Sequence, residues 1–261
     1  MSSTFDLRDQ PFPPIEGKRR VLVTGAAGRI GSYLAEHSHE QYDLRLMVRG
    51  DEAKIEEIRA YGEVIQCGLD DLPGLTDLCE GIDTVVHLAA DHRGHAPWEE
   101  VLPNNIVGTY NLFTAAKAQG CRRVIFASSI QAVSGYPRFQ QVRPEDPVNP
   151  PNLYAVSKCF GEALCRCFSN KMGLSGIVLR IGAYQTYESM RSSDEFSGIH
   201  WAFVSPRDLT QLIVRCIDDE KLQFAIFYGF SNNKFCKGDL SNARELLGYT
   251  PIDDIYADPD K

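Results

Sequence analysis

The chain has 261 residues, 43% of them hydrophobic and 24% charged. That is an ordinary globular composition, with length for one large domain or two small ones. A formal net charge of −8 argues against a groove for nucleic acid, and no apolar run approaches the ~20 residues that a membrane-spanning helix needs.

Residues 1–19 lack the apolar stretch of a signal peptide and carry a PFPP patch, Pro11–Pro14, so they read as a flexible N-terminal arm. Next comes Arg20–Gly31, RVLVTGAAGRIG. Val21–Val23 make a short buried strand, and Gly25, Gly28 and Gly31 follow at a spacing of three before a helical run, Ile30–Glu40. In such a strand–turn–helix, Gly25 allows the tight turn, Gly28 lets backbone approach a pyrophosphate, and Gly31 lets helix and strand pack closely. The helix start then presents free N–H groups and its positive end to phosphate.

Asp43–Val48 reads as the second strand. It ends in Arg49 and Gly50 with no acid at the turn. An acidic side chain there accepts ribose hydroxyls and favours NAD, whereas a basic one favours the 2′-phosphate of NADP. Arg49 therefore predicts NADP over NAD, with Asp51 further on as a source of a hydroxyl contact. Asp51–Tyr61 is a charged helix, Glu63–Cys67 the third strand, Leu72–Glu80 a short helix and Asp83–Leu88 the fourth strand. Pro97–Gln119 predicts one long helix, opened by Pro97 and stopped by Gly120. Arg123–Ser128 is the fifth strand, and Gly135–Pro151, with five prolines, is loop. Leu153–Met172 predicts a helix and Gly176–Arg180 the sixth strand.

Beyond Gly182 the pattern loosens. Tyr184–His200 reads as irregular, Pro206–Asp218 as a helix capped by Ser205, Phe224–Tyr228 as a strand, and Asp239–Leu247 as a helix ended by Gly248. Pro251–Lys261 is polar and reads as surface-bound or loose. Alternating strands and helices imply an α/β fold of the Rossmann type, a doubly wound parallel sheet. Residues 20–182 form the dinucleotide-binding domain, and 183–261 a small substrate-side region packed on it.

Eight cysteines are scattered, none in a CxxC or Cys/His metal spacing, so no metal is expected and most read as small buried hydrophobes in a reducing cytoplasm. Tyr154 and Lys158 form YxxxK at a helix start. The i, i+4 spacing puts them on one face. A charged Lys158 lowers the Tyr154 pKa, and Tyr154 serves as general base toward a hydroxyl or acid toward a carbonyl.

Glycine turn, HLAA (His87–Ala90), NNIVGT (Asn104–Thr109), ASS (Ala127–Ser129) and YAVSK (Tyr154–Lys158) together resemble the extended short-chain dehydrogenases/reductases, over nearly the whole chain from Arg20. PWEEVLPNNIVGTYNLF, NLYAVSKCFGE, VLRIG, FYGFSNN and ARELLGY are similar to uronate dehydrogenases and related archaeal sugar-phosphate dehydrogenases. The resemblance implies oxidation of a sugar at C1 to a lactone. In that scheme Tyr154 takes the hydroxyl proton, Ser129 hydrogen-bonds the reacting oxygen, and Asn105 supports a relay through Lys158 and water. It also implies cofactor contacts from Gly25, Gly28, Arg29, Ile30, Gly31, Arg49, Leu69, Asp70, Leu88, Ala89, Ala90 and Ile181, with Tyr154 and Lys158.

The departures concern the substrate. Ser129, Ile130 and Gln131 stand where the group has Ser-Asn-His, Ala183 where it has a serine, and Gly68 where it has an adenine-side Asp, with Asp70 and Asp71 nearby. Arg191 and Arg93 are the candidates for holding a substrate anion, and Gln131 faces the substrate side. The altered set suggests a substrate less polar than, or differently substituted from, a uronate. The alternatives are a nucleotide-sugar epimerase or dehydratase, against which the short stretch after Arg180 argues, and a reductase of a small carbonyl compound. The superfamily suggests a homodimer or higher homo-oligomer through the helices predicted at 97–119 and 153–172.

Overall fold

The computed structural model describes residues 4–50, 52–137, 139–192 and 198–257. Asp51 and its expected ribose contact lie outside them. The strands are β1 (Phe5–Leu7), β2 (Arg20–Thr24), β3 (Asp43–Val48), β4 (Glu63–Gln66), β5 (Thr84–His87), β6 (Arg123–Ser129), β7 (Ser175–Ile181), β8 (Ala183–Tyr184), β9 (Phe203–Val204) and β10 (Leu222–Gly229). The α-helices are α1 (Arg29–Ser38), α2 (Glu52–Ile58), α3 (Leu72–Leu78), α4 (Trp98–Val101), α5 (Gly108–Ala118), α6 (Leu153–Met172), α7 (Tyr187–Ser192), α8 (Pro206–Asp218) and α9 (Ser241–Leu247).

Eight strands make one sheet in the order β1-β10-β7-β6-β5-β2-β3-β4. All neighbours run parallel except β1, which is antiparallel to β10. Successive residues of a strand face opposite sides, and here both sides are buried. Val21, Val23, Val86 and Ile125 join a core shared with α1, α8 and α9, while Leu22, Val85 and Val124 join the one under α3, α5 and α6. A doubly covered parallel sheet requires such unbroken apolar strands, each buried Val or Leu adding about 1.5–3 kcal/mol.

Three expectations change. The arm at 1–19 is partly docked: Phe5–Leu7 pairs with β10, and Phe12 is buried under the guanidinium groups of Arg8 and Arg122. The helix expected over 97–119 contains a π-helical turn, Leu102–Val107. Pro103 lies in that turn and has no N–H to give the preceding turn. Tyr184–His200 is not wholly irregular, since it holds α7 and the residue that closes β8; residues 193–197 lie outside the description. Moreover, β10 lies between β1 and β7 in the main sheet, so the C-terminal stretch shares the core of the first 182 residues.

Residues 251–257 also dock. The Ile252 and Asp253 amides donate to the buried Asp208 carboxylate at 3.1 and 3.0 Å, and Ile255 is buried. No helix among the described residues is long and apolar enough to cross a membrane.

Candidate active site

Ligands of open parallel sheets bind beyond the carboxyl ends of the strands, and the residues singled out from the sequence collect there. β2 leaves the sheet at Thr24. Gly25 turns with φ +69°, and a Cβ on it would stand 3.0 Å from the Ala89 backbone at the exit of β5. A Cβ on Gly31 would stand 2.6 Å from the Gly25 carbonyl oxygen. Helix α1 is thereby seated directly on the turn, with Gly28 as its N-cap and no side chain capping its free N–H groups. These are features a dinucleotide pyrophosphate requires. The turn opens on a cleft of about 790 Å³ lined by Gly25, Arg49, Leu69, Asp70, Ala89 and Ala90, among others.

At the cleft's outer end Arg49 is exposed and donates from Nη1 to Asn104 Oδ1 at 3.2 Å. The Leu69 carbonyl accepts from Asn111 Nδ2 at 3.0 Å, which ties the loop after β4 to α5. Leu88 and Ile30 are half-buried against the core, and Ile181 is buried at the end of β7. The Arg29 side chain turns the other way, to Gln185 Oε1 at 2.6 Å and over the Tyr184 ring, and so links the glycine turn to β8 and α7.

Beside the cleft the ends of β5 and β6 meet the start of α6. Asn152 caps α6, its Oδ1 accepting from the Ala155 amide at 2.8 Å. Its Nδ2 donates to Gln131 Oε1, also at 2.8 Å, so Gln131 is anchored to the helix that bears Tyr154 and Lys158. Tyr154, Lys158 and Ser129 are all buried. The Ser129 hydroxyl faces the Tyr154 phenol closely enough to favour its ionised form, and Lys158 Nζ donates to the Ala127 carbonyl at 2.8 Å. Behind them His87 bridges Thr24 and Thr109 at 2.8 and 3.3 Å. Burial, then the Lys158 charge, pulls its pKa down to about 3, so His87 is a neutral brace for β5.

The electrostatics differ from expectation at Tyr154. Burial raises its pKa, the Ser129 hydrogen bond opposes the rise and the Asp91 charge adds to it. The expected lowering by Lys158 does not prevail, because the phenol is desolvated and the ammonium is bonded to a carbonyl. Burial alone brings Lys158 down to about 8 from 10.5. Its folded value lies below its unfolded one, so from pH 8 to 10.5 the unfolded chain binds more protons and stability rises with pH. Relative to Lys158→Met, the wild type should gain roughly 3 kcal/mol across that window. Denaturant unfolding of both proteins at pH 8 and 10 checks this, and a constant difference would refute it.

One other expectation, at Arg191, is corrected. Asn105 lies in the π turn. Its amide holds the Asp91 backbone both ways, at 2.8 and 2.9 Å, and donates to Ser157 Oγ at 3.0 Å. It clamps the β5 exit to α6. Arg191 donates to the carbonyls of Ile255 and Ala257 at 3.1 and 2.6 Å and lies over the Tyr187 ring, so the C-terminal segment has taken up its guanidinium. Arg93 does line the cleft, but it is bound to Asp91 and Glu100. The sequence reading passed over Asp91, whose position directly after HLAA was its one signal.

Fold and site together define a Rossmann-type dinucleotide-binding protein with a buried Ser–Tyr–Lys group at its strand ends. The chain belongs to the NAD-dependent epimerase/dehydratase family, which matches residues 21–188. It is 33% identical over 247 residues to the NAD-dependent glucose-6-phosphate dehydrogenase of Haloferax volcanii, covering 89% of this chain and 93% of that one. It is 31% identical over 255 residues to the L-arabinose 1-dehydrogenase (NAD(P)(+)) of the same organism, covering 90% and 96%. The crystal structure of glucuronic acid dehydrogenase from Chromohalobacter salexigens superposes with a TM-score of 0.82 at 31% identity, over 93% of this chain and 92% of that one.

Proposed function

We propose that the chain is an NAD(P)-dependent dehydrogenase that oxidises the anomeric hydroxyl of a cyclic sugar to a lactone. The observation that carries this reading is the buried convergence of Ser129, Tyr154 and Lys158 beside the glycine-turn cleft. The relatives named above, all sugar or uronate dehydrogenases, agree with it. A nicotinamide dinucleotide, held by the turn at Gly25–Gly31 and the cleft wall at Ala89–Ala90, supplies the hydride acceptor.

Tyr154, as phenolate, takes the hydroxyl proton. Ser129 donates to the reacting oxygen and holds it against Tyr154. Lys158 is the neighbouring cation that stabilises the phenolate as it forms, and its pKa near 8 lies close to working pH, where proton transfer is most effective. The test is a panel of aldoses, uronates, sugar phosphates and simple alcohols, read by nicotinamide absorbance. Reduction with sugars is expected, and its absence with every sugar would overturn the reading.

For the cofactor, NADP is favoured over NAD. Arg49, exposed at the cleft's outer end with no carboxylate from the β3 turn among the described residues, suits a 2′-phosphate. Arg49→Ala should weaken NADP binding about tenfold and NAD binding less than about twofold. Titration of both dinucleotides checks this, and equal effects on the two would refute it.

A further inference from the structure

One carboxylate of the cleft wall, tied through Asn105 and Ser157 to the first turn of α6, has no part in the proton transfer. Asp91 lies in the cleft wall just past β5. Its backbone is locked to Asn105 and through it to α6, and its charge bears on the Tyr154 phenol. Arg93 folds back onto it. The Arg93 amide and Nε donate to Oδ1 at 3.0 and 3.1 Å, and Nη2 donates to Oδ2 at 2.5 Å. The same Nη2 pairs with Glu100. Two carboxylates and one guanidinium leave this trio with a formal charge of −1. The other arginine suited to a substrate anion, Arg191, is held by carbonyls of the C-terminal segment. Gln131, on the substrate side, is neutral and bonded to Asn152.

We propose that Asp91 sets the substrate class: fixed by Arg93 and Asn105 beside Tyr154, its carboxylate accepts hydroxyl groups of an uncharged sugar ring and turns away sugars bearing a carboxylate or phosphate. This deepens the sugar-oxidising reading and rests on it. A carboxylate offers about four acceptor positions, and Arg93 fills three, two on Oδ1 and one on Oδ2. A ring hydroxyl can donate to the position left on Oδ2. An anionic substituent has no proton to give and meets a like charge. To bind that anion, Arg93 would have to abandon two carboxylates. Discrimination of this kind comes from a repulsive element as much as from attraction. One like charge at close range in a cleft amounts to about tenfold or more in specificity.

The test measures kcat/KM at pH 8 for L-arabinose, D-xylose, D-glucose and D-galactose against glucose 6-phosphate, glucuronate and galacturonate, with the full chain and with Asp91→Asn. The wild type should favour the best uncharged sugar over the best anion by about tenfold or more, and Asp91→Asn should narrow that ratio about tenfold. A wild type that prefers an anion or shows no preference overturns the proposal. So does a variant whose kcat/KM falls equally on both classes, complete loss of turnover included. Failure of every sugar to reduce the nicotinamide is a separate result, which removes the dehydrogenase reading and this proposal with it.

Discussion

Tyr154→Phe should lower kcat about a thousandfold and leave the dissociation constants of NAD and NADP within about twofold. The exchange removes one oxygen and keeps the ring of a residue only 8% exposed, so packing is preserved and the cost in stability should not exceed that of one hydrogen bond, about 1 kcal/mol. The large effect on turnover follows from the role. No other described phenol, imidazole or carboxylate hydrogen-bonds Ser129, and a positioned acid–base group contributes roughly 10²–10⁴ in rate. Because burial holds the Tyr154 pKa above its ordinary value, the phenolate forms only with help from the ammonium of Lys158, whose pKa is down to about 8, so the wild-type rate should climb with pH to about 8 and level off above it. Steady-state rates, with cofactor titrations and a melting curve alongside, separate a chemical defect from a folding one. Turnover in the variant within tenfold of the wild type would remove Tyr154 from the role of base.

What the sequence disclosed follows from how local each signal is. The strand–turn–helix at Arg20–Gly31 and the pair Tyr154/Lys158 were legible because their geometry is set within a few residues. A positive-φ glycine after a buried strand, or two side chains one helical turn apart, needs no tertiary knowledge. The π turn at Leu102–Val107 was hidden because apolar spacing continues across it, and Pro103 was outweighed by the helical pattern on both sides. β1 was missed because three residues are too few to show a period of two, and its pairing partner β10 lies more than two hundred residues away.

At the site, Asn105 is legible from its motif, but its direct partners are not. Its bonds to Asp91 and Ser157 depend on how β5, the π turn and α6 meet in space. Arg93 and Arg191 looked alike in sequence, lone arginines in polar segments. One is neutralised by acids at the mouth and the other is spent on the C-terminal backbone, a difference only the packed chain creates.

Glu162→Ala should cost about 3–5 kcal/mol of stability, the usual consequence of leaving a buried charge without its partner. Glu162 stands one turn beyond Lys158 on α6. Its carboxylate receives Arg180 Nε and Nη2 at 3.0 and 2.9 Å, and Ser128 Oγ at 2.6 Å. Side-chain exposure is 2% for Arg180 and 7% for Glu162. Burial works against the Arg180 charge, and the hydrogen bonds and charge of Glu162 offset it and hold the pKa above the ordinary value; with Glu162 removed that support goes, while the guanidinium, too basic to shed its proton in a protein, stays charged and unpaired. Its remaining acceptors, the Pro144 carbonyl and the Tyr228 hydroxyl at 3.4 Å each, are too long to replace a bidentate carboxylate.

The pair also fixes the site, because Ser128 adjoins Ser129, Arg180 adjoins Ile181, and Glu162 shares a helix with the tyrosine and lysine. Loss of stability should therefore come with a rise in KM. The double variant Glu162→Met/Arg180→Met should recover most of the loss, since an apolar pair of similar volume leaves no charge to solvate. Denaturant unfolding of the two single variants and the double variant measures the coupling. A Glu162→Ala protein within about 1 kcal/mol of the wild type would mean that water or another group reaches Arg180, and that α6 is held against the sheet by its apolar face alone.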